Sequence, residues 1–341
     1  MKKIIITGGA GFVGSHTALE LLKARMEPII IDNFSNSHKK LLANLESLAH
    51  TKIKTYEADC RDQAKINKIF KTVKADGVIH FAAYKSVRDS LGEPLEYYDN
   101  NIASLVGVLK AMEQSGIKNL VFSSSCTVYG QAKKFPITED TPFGPPLSPY
   151  GFTKQIGEKI INDTTVSTGS IKAICLRYFN AVGAHPSSKL GEASLANPTF
   201  LMPRILQILS GKSSPTLEVY GGDYPTPDGT CIRDYIHVQD LATAHTKAMR
   251  HLFKQGGGYF ECFNVGTGRG NSVLEVIKTF EKITGREIPF SFRPRAAGDA
   301  VISYASAVKA KEILGWGAKY SLEDAVAHAW KWQQNLTLSK R

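Results

Sequence analysis

The chain has 341 residues, room for one large or two ordinary domains, and at 43% hydrophobic and 21% charged residues it reads as a folded globular protein rather than a disordered or fibrous one. Its formal net charge is +11. The lysines and arginines are scattered, in runs no longer than Lys39-Lys40 or Lys133-Lys134, so no basic block interleaved with aromatics argues for nucleic acid, and an anionic small molecule gains from the same field.

In chain order, "KIIIT" at 3–7 reads as a buried β-branched strand, and "GFVGSHTALELLKA" has helical periodicity. "PIIID" (28–32) is a second strand, "KLLANLESL" a helix and "KIKTYEAD" a third strand. "DQAKINKIFKTV" is helical, "DGVIHFAA" a fourth strand, residues 95–115 one long helix, and "NLVFSSS" a fifth strand. Ser148 is a good N-cap and Pro149 suits a first helical position, so a helix is expected from there, followed by a sixth strand in "IKAICLRYFN". Beyond Asn180 the stretch 181–198 is rich in Gly, Pro and Ser and has no period. Helices return at 238–253, 272–284, 306–314 and 322–334. The alternation predicts an α/β fold: a Rossmann-type doubly wound parallel sheet with a smaller C-terminal α/β substrate domain. The expected division is 1–180 for the dinucleotide-binding domain, with a returning segment near 236–265, and 181–341 for the second domain.

No stretch reaches the length of a membrane span, and the apolar run after Lys2-Lys3 is too short for a signal peptide and is broken at Gly8 and Gly9. The cysteines are Cys60, Cys126, Cys175, Cys231 and Cys262, an odd number with no C-x2-C pair. That is reduced, cytoplasmic usage, with no metal site expected.

The glycine loop "TGGAGFVGS" sits between the first strand and the first helix, with Gly8, Gly11 and Gly14 around Phe12 and Val13. Glycines there let backbone N–H groups approach a pyrophosphate at the helix N-terminus. Asp32 ends the second strand, where a carboxylate takes adenosine ribose hydroxyls and repels a 2′-phosphate, so NAD is expected over NADP. Asp59 ends the third strand and is expected at the adenine amino group, with Cys60 as an apolar wall. Ala82 and Ala83 let a cofactor lie close, Lys85 follows, and Ser123, Ser124 and Ser125 place hydroxyls at a strand C-terminus. Tyr150 and Lys154 share a helix face at i,i+4. A nearby ammonium and a helix N-terminus both favour an ionised phenol, which serves as a base near neutral pH.

The glycine loop, a serine near the fifth strand and Tyr150-x3-Lys154 together resemble the extended short-chain dehydrogenase/reductase family. With "IDNFSNS", "VIHFAAYKSV", "PLEYYDNN", "FSSSCTVYG", "LRYFNAVGAHPS" and "DYPTPDGTCIRDYIHV", the resemblance is strongest to its UDP-glucose 4-epimerase branch. It covers most of residues 1–240 and continues more weakly to about residue 335. The resemblance implies that Tyr150 is the base, that Lys154 holds the nicotinamide ribose and lowers the tyrosine pKa, and that Ser125 bonds the sugar 4-hydroxyl. It assigns Asp32, Asn33, Asn36 and Ser37 to the adenosine, and Asp59, Cys60, Phe81, Lys85, Asn100, Ser123 and Tyr178 to the rest of the NAD site. Asn180, Leu201, Tyr220, Arg233 and Asp299, with Lys85, would line the UDP-sugar site. The implied protein is a cytoplasmic homodimer that packs helices 95–115 and 150–168 as a four-helix bundle.

Three positions depart from the family pattern. Phe200 replaces an Asn, Ala296 replaces a phosphate-contacting Arg, and Ser303 replaces a Tyr beside the sugar C2 substituent. Arg233, Arg293 or Arg295 is expected to compensate for the second, and the third predicts room for N-acetylated sugars unless Tyr304 fills the space. Rival readings are a 4,6-dehydratase, for which Cys126-Thr127-Val128 offers no acid–base carboxylate, a non-catalytic NAD-binding regulator, and a nucleic-acid binder.

Overall fold

The triple isoleucine Ile4-Ile5-Ile6 lies in β1 (Lys2–Thr7), an interior strand of a sheet buried on both faces. Ile4 and Ile6 point into one hydrophobic core and Ile5 into another, which is why the strand reads as a continuous apolar run instead of an alternating one. The computed structural model describes residues 1–193, 199–212 and 214–338. The end of the expected loop, residues 194–198, lies outside them.

After β1 come α1 (Phe12–Lys23), β2 (Met26–Asp32), α2 (Lys39–Ala49), β3 (Thr55–Glu57), α3 (Gln63–Val73) and β4 (Gly77–His80). Two short helices, α4 (Val87–Gly92) and α5 (Pro94–Tyr98), lead through a π-helical turn (Asp99–Ala103) into α6 (Ser104–Ser115). Then follow β5 (Asn119–Ser125), α7 (Pro149–Thr168), β6 (Lys172–Tyr178), β7 (Asn180–Val182), α8 (Leu201–Leu209), β8 (Leu217–Tyr220), β9 (Ile232–Arg233), β10 (Tyr235–His237) and α9 (Val238–Leu252). The chain ends with β11 (Phe260–Val265), β12 (Asn271–Ser272), α10 (Val273–Thr284), β13 (Phe290–Arg293), β14 (Ile302–Ser303), α11 (Val308–Leu314) and α12 (Leu322–Leu338).

Seven strands form one parallel sheet in the order β3-β2-β1-β4-β5-β6-β11. The order reverses between β1 and β4, so a crevice opens there at the strand C-termini. Residues of α1, α2 and α9 pack on one face, and residues of α3, α6 and α7 on the other. The smaller C-terminal part has its own core, in which Ile205 of α8, Val219 of β8, Phe280 of α10 and Val326 of α12 meet.

Three expectations change. The helix expected over 95–115 runs continuously from 94 to 115 but carries a π turn, which widens it and turns Asn100 and Asn101 inward. The sixth strand stops at Tyr178. Phe179 then drops into a separate cluster with Val128, Tyr129 and Ile137, and Asn180 starts β7, which pairs with β10 instead. Helix α8 was not anticipated, because Pro203 interrupts its pattern. Pro203 is the third helical residue, where no intrahelical N–H bond is required, so the helix tolerates it. Among the described residues no helix is long and apolar enough to cross a membrane, and no cluster of three or more His, Cys, Asp or Glu is placed to hold a metal.

Burial lowers four histidines well below their ordinary value: His16, His80 and His237 to about 3, and His245 to about 4. The unfolded chain therefore binds more protons than the folded one between the free-histidine pKa of about 6.5 and those values, and stability must fall as pH falls through that window. Urea unfolding is expected to give a lower free energy at pH 5 than at pH 7, each histidine contributing up to about 2 kcal/mol to the drop. The variant His16→Gln should show a shallower drop, and a stability curve flat from pH 7 to pH 5 contradicts this account.

Candidate active site

Helix α7 begins as its sequence implies. The Ser148 hydroxyl accepts from Gly151 N at 3.1 Å, and Pro149 occupies the first turn. This start buries Tyr150 and Lys154 one turn apart against the end of β5. Lys154 Nζ donates to the Ser123 carbonyl at 2.8 Å and lies 5.7 Å from the centre of the Tyr150 ring. Ser125, at the end of β5, lies within reach of the Tyr150 hydroxyl and favours its ionised form, and the Ser123 hydroxyl pairs with that of Tyr178. Ser124, with the opposite strand parity, donates to the buried Glu158 carboxylate behind the site.

Burial raises the Tyr150 phenol above its ordinary value; Tyr178 adds to the shift and the Ser125 hydrogen bond opposes it. Burial also lowers the Lys154 ammonium to about 8, against the pull of Cys175 and Glu158. The Lys154 ammonium is held by the Ser123 carbonyl, and burial is the largest influence on the phenol.

Above this floor opens a cavity of about 1300 Å³, lined by every site residue anticipated from the sequence, from Gly8 of the glycine loop to Ser303 of β14. That volume exceeds the roughly 1,000 Å³ upper end for a single small ligand, so it suits two ligands side by side.

At one end lies the glycine loop. Gly8 has φ +71°, and a Cβ there would sit 2.8 Å from Ala82 N. A Cβ on Gly14 would strike the Gly8 carbonyl oxygen. The N-cap Gly11 makes no side-chain cap, so the first amides of α1 stay open toward the cavity. Asp32 accepts from Ala10 N, Phe34 N and Ser37 Oγ, each at 2.9 Å, which braces the loop and holds the carboxylate at the end of β2. These features fit a dinucleotide. Asp59 lines the cavity and is held in place by its neighbours. Its Oδ1 accepts from Arg61 N and Nε, and its Oδ2 from an Arg61 Nη and Asn33 Nδ2. The Arg61 guanidinium bond holds its carboxyl down at about 2. The Cys60 thiol, pushed up to about 12 by burial, is inert and suits a wall.

At the other end, Arg233 faces Asp299 at 3.5 Å, and Lys85 pairs with Glu192 at 2.7 Å beneath the Phe200 ring. Ser303 is buried and in register with Arg233 on β9, and Cys126 lines the cavity with it. Tyr304 stacks on Phe135 with ring centres 5.6 Å apart and is not part of the lining, so it does not fill the space beside Ser303. Arg293 is bound to Glu218 and does not line the cavity; Arg295 lines it but is tied to Asp223.

Sequence reasoning missed Asn101, whose amide bonds the Tyr84 N–H and carbonyl and Thr153 of α7 at 2.8–3.1 Å. It also missed Arg88 and Tyr235 in the lining. No spacing marks these residues, because the π turn and the short C-terminal strands that carry or flank them leave no periodic trace.

Residues 4–266 match the model of the NAD dependent epimerase/dehydratase family. The chain is 44% identical over 332 residues to the UDP-glucose 4-epimerase of Bacillus subtilis (strain 168), covering 97% of each. It superposes with a TM-score of 0.95 on a UDP-glucose 4-epimerase from Bifidobacterium longum in complex with NAD+ and UDP, at 43% identity over 98% of each chain. It also superposes with a TM-score of 0.84 on a UDP-Glc/GlcNAc 4-epimerase from Campylobacter jejuni, at 34% identity over 98% of this chain and 100% of that one. The chain belongs to the NAD dependent epimerase/dehydratase family.

Proposed function

We propose that this protein interconverts UDP-glucose and UDP-galactose by transient oxidation at C4 of the sugar, with NAD held tightly through the cycle. The observation that carries the reading is the buried Tyr150–Ser125 hydroxyl pair on the floor of a cavity that continues to the glycine loop. NAD, when bound, supplies the acceptor and donor of the C4 hydride.

The chain's own residues handle the proton. Ser125 and Tyr150 present two oxygens to the C4 hydroxyl, and Tyr150 takes its proton and later returns it. A buried phenol is a poor base until positive charge stabilises its anion, and Lys154 is the chain's nearest fixed source of that charge. Once C4 is a ketone the sugar turns over, and the small side chains of Cys126 and Ser303 leave the width for it. The glycine loop, Asp32, Asn33, Asn36 and Ser37 grip the adenosine half of NAD, and Phe81, Ala82, Asn100 and Tyr178 the nicotinamide half. Asn180, Leu201, Tyr220, Arg233 and Asp299 receive the UDP-sugar. The division of labour runs near residue 180, with 236–265 returning to the NAD side. Cys126 and Thr127, which follow Ser125 in the lining, carry no carboxylate, and this weighs against a dehydratase. Five free thiols, four of them buried, suit a reducing cytoplasm.

A coupled assay with UDP-galactose, alongside an absorbance scan for bound nicotinamide, tests this reading. Tyr150→Phe is expected to lower kcat by roughly 10²–10⁴-fold, the worth of a general base, while nicotinamide stays bound. Near-normal turnover by that variant rejects Tyr150 as the base.

The space beside Ser303 extends the substrate range to UDP-N-acetylglucosamine and UDP-N-acetylgalactosamine. Ser303→Tyr should lose the N-acetylated pair by about one to two decades, the cost of overpacking a rigid site, and keep UDP-galactose turnover. A wild type inactive on UDP-N-acetylgalactosamine but active on UDP-galactose would mean that the pocket is narrow.

The working unit we propose is a homodimer. Leu95 of α5 is 79% exposed and Val166 of α7 is 72% exposed, an apolar pair on the helices expected to bundle. Light scattering should report twice the chain mass for wild type and a lower mass for the double variant Leu95→Glu/Val166→Glu; a monomeric wild type rules the bundle out.

A further inference from the structure

Among the described residues, five cations line the cavity: Lys85, Arg88, Lys154, Arg233 and Arg295. Four are committed. Lys154 holds the Ser123 carbonyl, Lys85 holds Glu192, Arg233 faces Asp299 and Arg295 holds Asp223. Arg88 alone is held neither by a carboxylate nor by a backbone carbonyl. One Nη donates to the Tyr220 hydroxyl at 3.1 Å, and the guanidinium lies 5.3 Å from the centre of that ring. A guanidinium carries five N–H donors, so most of its capacity is unspent.

Its position matters as much as its charge. Arg88 is on α4, and the preceding Val87 abuts the loop that closes the opposite wall: a Cβ on Gly298 would come within 3.1 Å of Val87 Cγ1. That loop presents the uncharged Ala296 to the cavity, while Arg293 lies outside the lining on Glu218 and Arg295, within it, is tied to Asp223. The wall supplies no free cation of its own, and Arg88 reaches across the same opening to Tyr220 of β8.

We propose that Arg88 is a substrate-binding residue that leaves the Tyr220 hydroxyl to take the diphosphate of the UDP-sugar. The inference rests on the UDP-sugar reading above. A phosphate oxygen is a charged acceptor and accepts two guanidinium N–H bonds at once, so it outcompetes a phenol hydroxyl for the same fork. The site is at the rim, where solvent weakens the gain, and the expected effect lies at the low end for charge-assisted hydrogen bonds, about tenfold in affinity.

The test compares wild type, Arg88→Ala and Arg88→Lys, with Arg293→Ala as a control outside the cavity. Arg88→Ala should raise KM for UDP-galactose about tenfold with kcat within about twofold, raise the inhibition constant of UDP by the same factor, and leave that of uridine nearly unchanged. Arg88→Lys, a point charge without the fork, should fall between, and Arg293→Ala should match wild type. If Arg88→Ala keeps the wild-type KM and UDP inhibition while wild type epimerises UDP-galactose, the assignment to Arg88 is wrong and the UDP-sugar reading stands. An equal loss for uridine would place Arg88 on the base and also reject the diphosphate role. A wild type that neither binds UDP nor epimerises UDP-galactose overturns both.

Discussion

A buried ion pair fixes the catalytic helix to the sheet. Arg177 of β6 and Glu158 of α7 have side chains only 7% and 3% exposed and meet in a fork, with Nε to Oε1 at 2.9 Å and an Nη to Oε2 at 2.6 Å. Glu158 lies one turn beyond Lys154, which lies one turn beyond Tyr150, so the fork sets the depth and rotation of all three. Burial alone would pull the Arg177 guanidinium down, but the bonds and charge of Glu158 raise it instead. Ser124 and Cys262 donate to the same carboxylate, and Arg177 reaches on to the Tyr129 hydroxyl, which donates to Asn264. Asn264 in turn holds the Ile137 carbonyl, and Ile137 pairs with the chain around Tyr304 and Ser306, beside Ser303. One network thus ties the proton-handling helix to the far wall of the cavity. Taking away one charge of such a pair typically costs about 3–5 kcal/mol, because the other is left buried and unpaired.

The chain carries a large positive charge, yet its cavity does not. Most lining cations already have a carboxylate at hand, as Arg233 has Asp299 and Lys85 has Glu192. Pre-pairing limits the desolvation that an entering anion would otherwise impose on bare ammonium and guanidinium groups. It also leaves the reactive end governed by burial. Tyr150 and Lys154 are both driven toward their neutral forms by the same enclosure.

The dinucleotide half of the site was legible because its constraints are local. A positive φ at Gly8, the close packing of Gly14, an acidic residue at the end of β2 and a Ser-Pro start to α7 are properties of a few neighbouring residues, and each leaves a residue type that little else explains. The βα alternation and the parallel sheet follow from apolar runs too continuous for a half-exposed strand. The family resemblance then supplied roles that no spacing alone would assign.

Tertiary structure alone decided the rest. The engagement of Arg293 by Glu218 and of Arg295 by Asp223, the placement of Tyr304 on Phe135 and the neutral partnering of Arg88 are choices between partners far apart in sequence. The same holds for the π turn, for α8 with its early proline, and for the two- to four-residue strands of the C-terminal part, which are too short to show a period. A residue's local pattern says which element it joins. Which charge neutralises which, and which way a long side chain turns at a cavity rim, depends on the packing of separate segments, because the energies involved are set by burial and distance in the folded molecule.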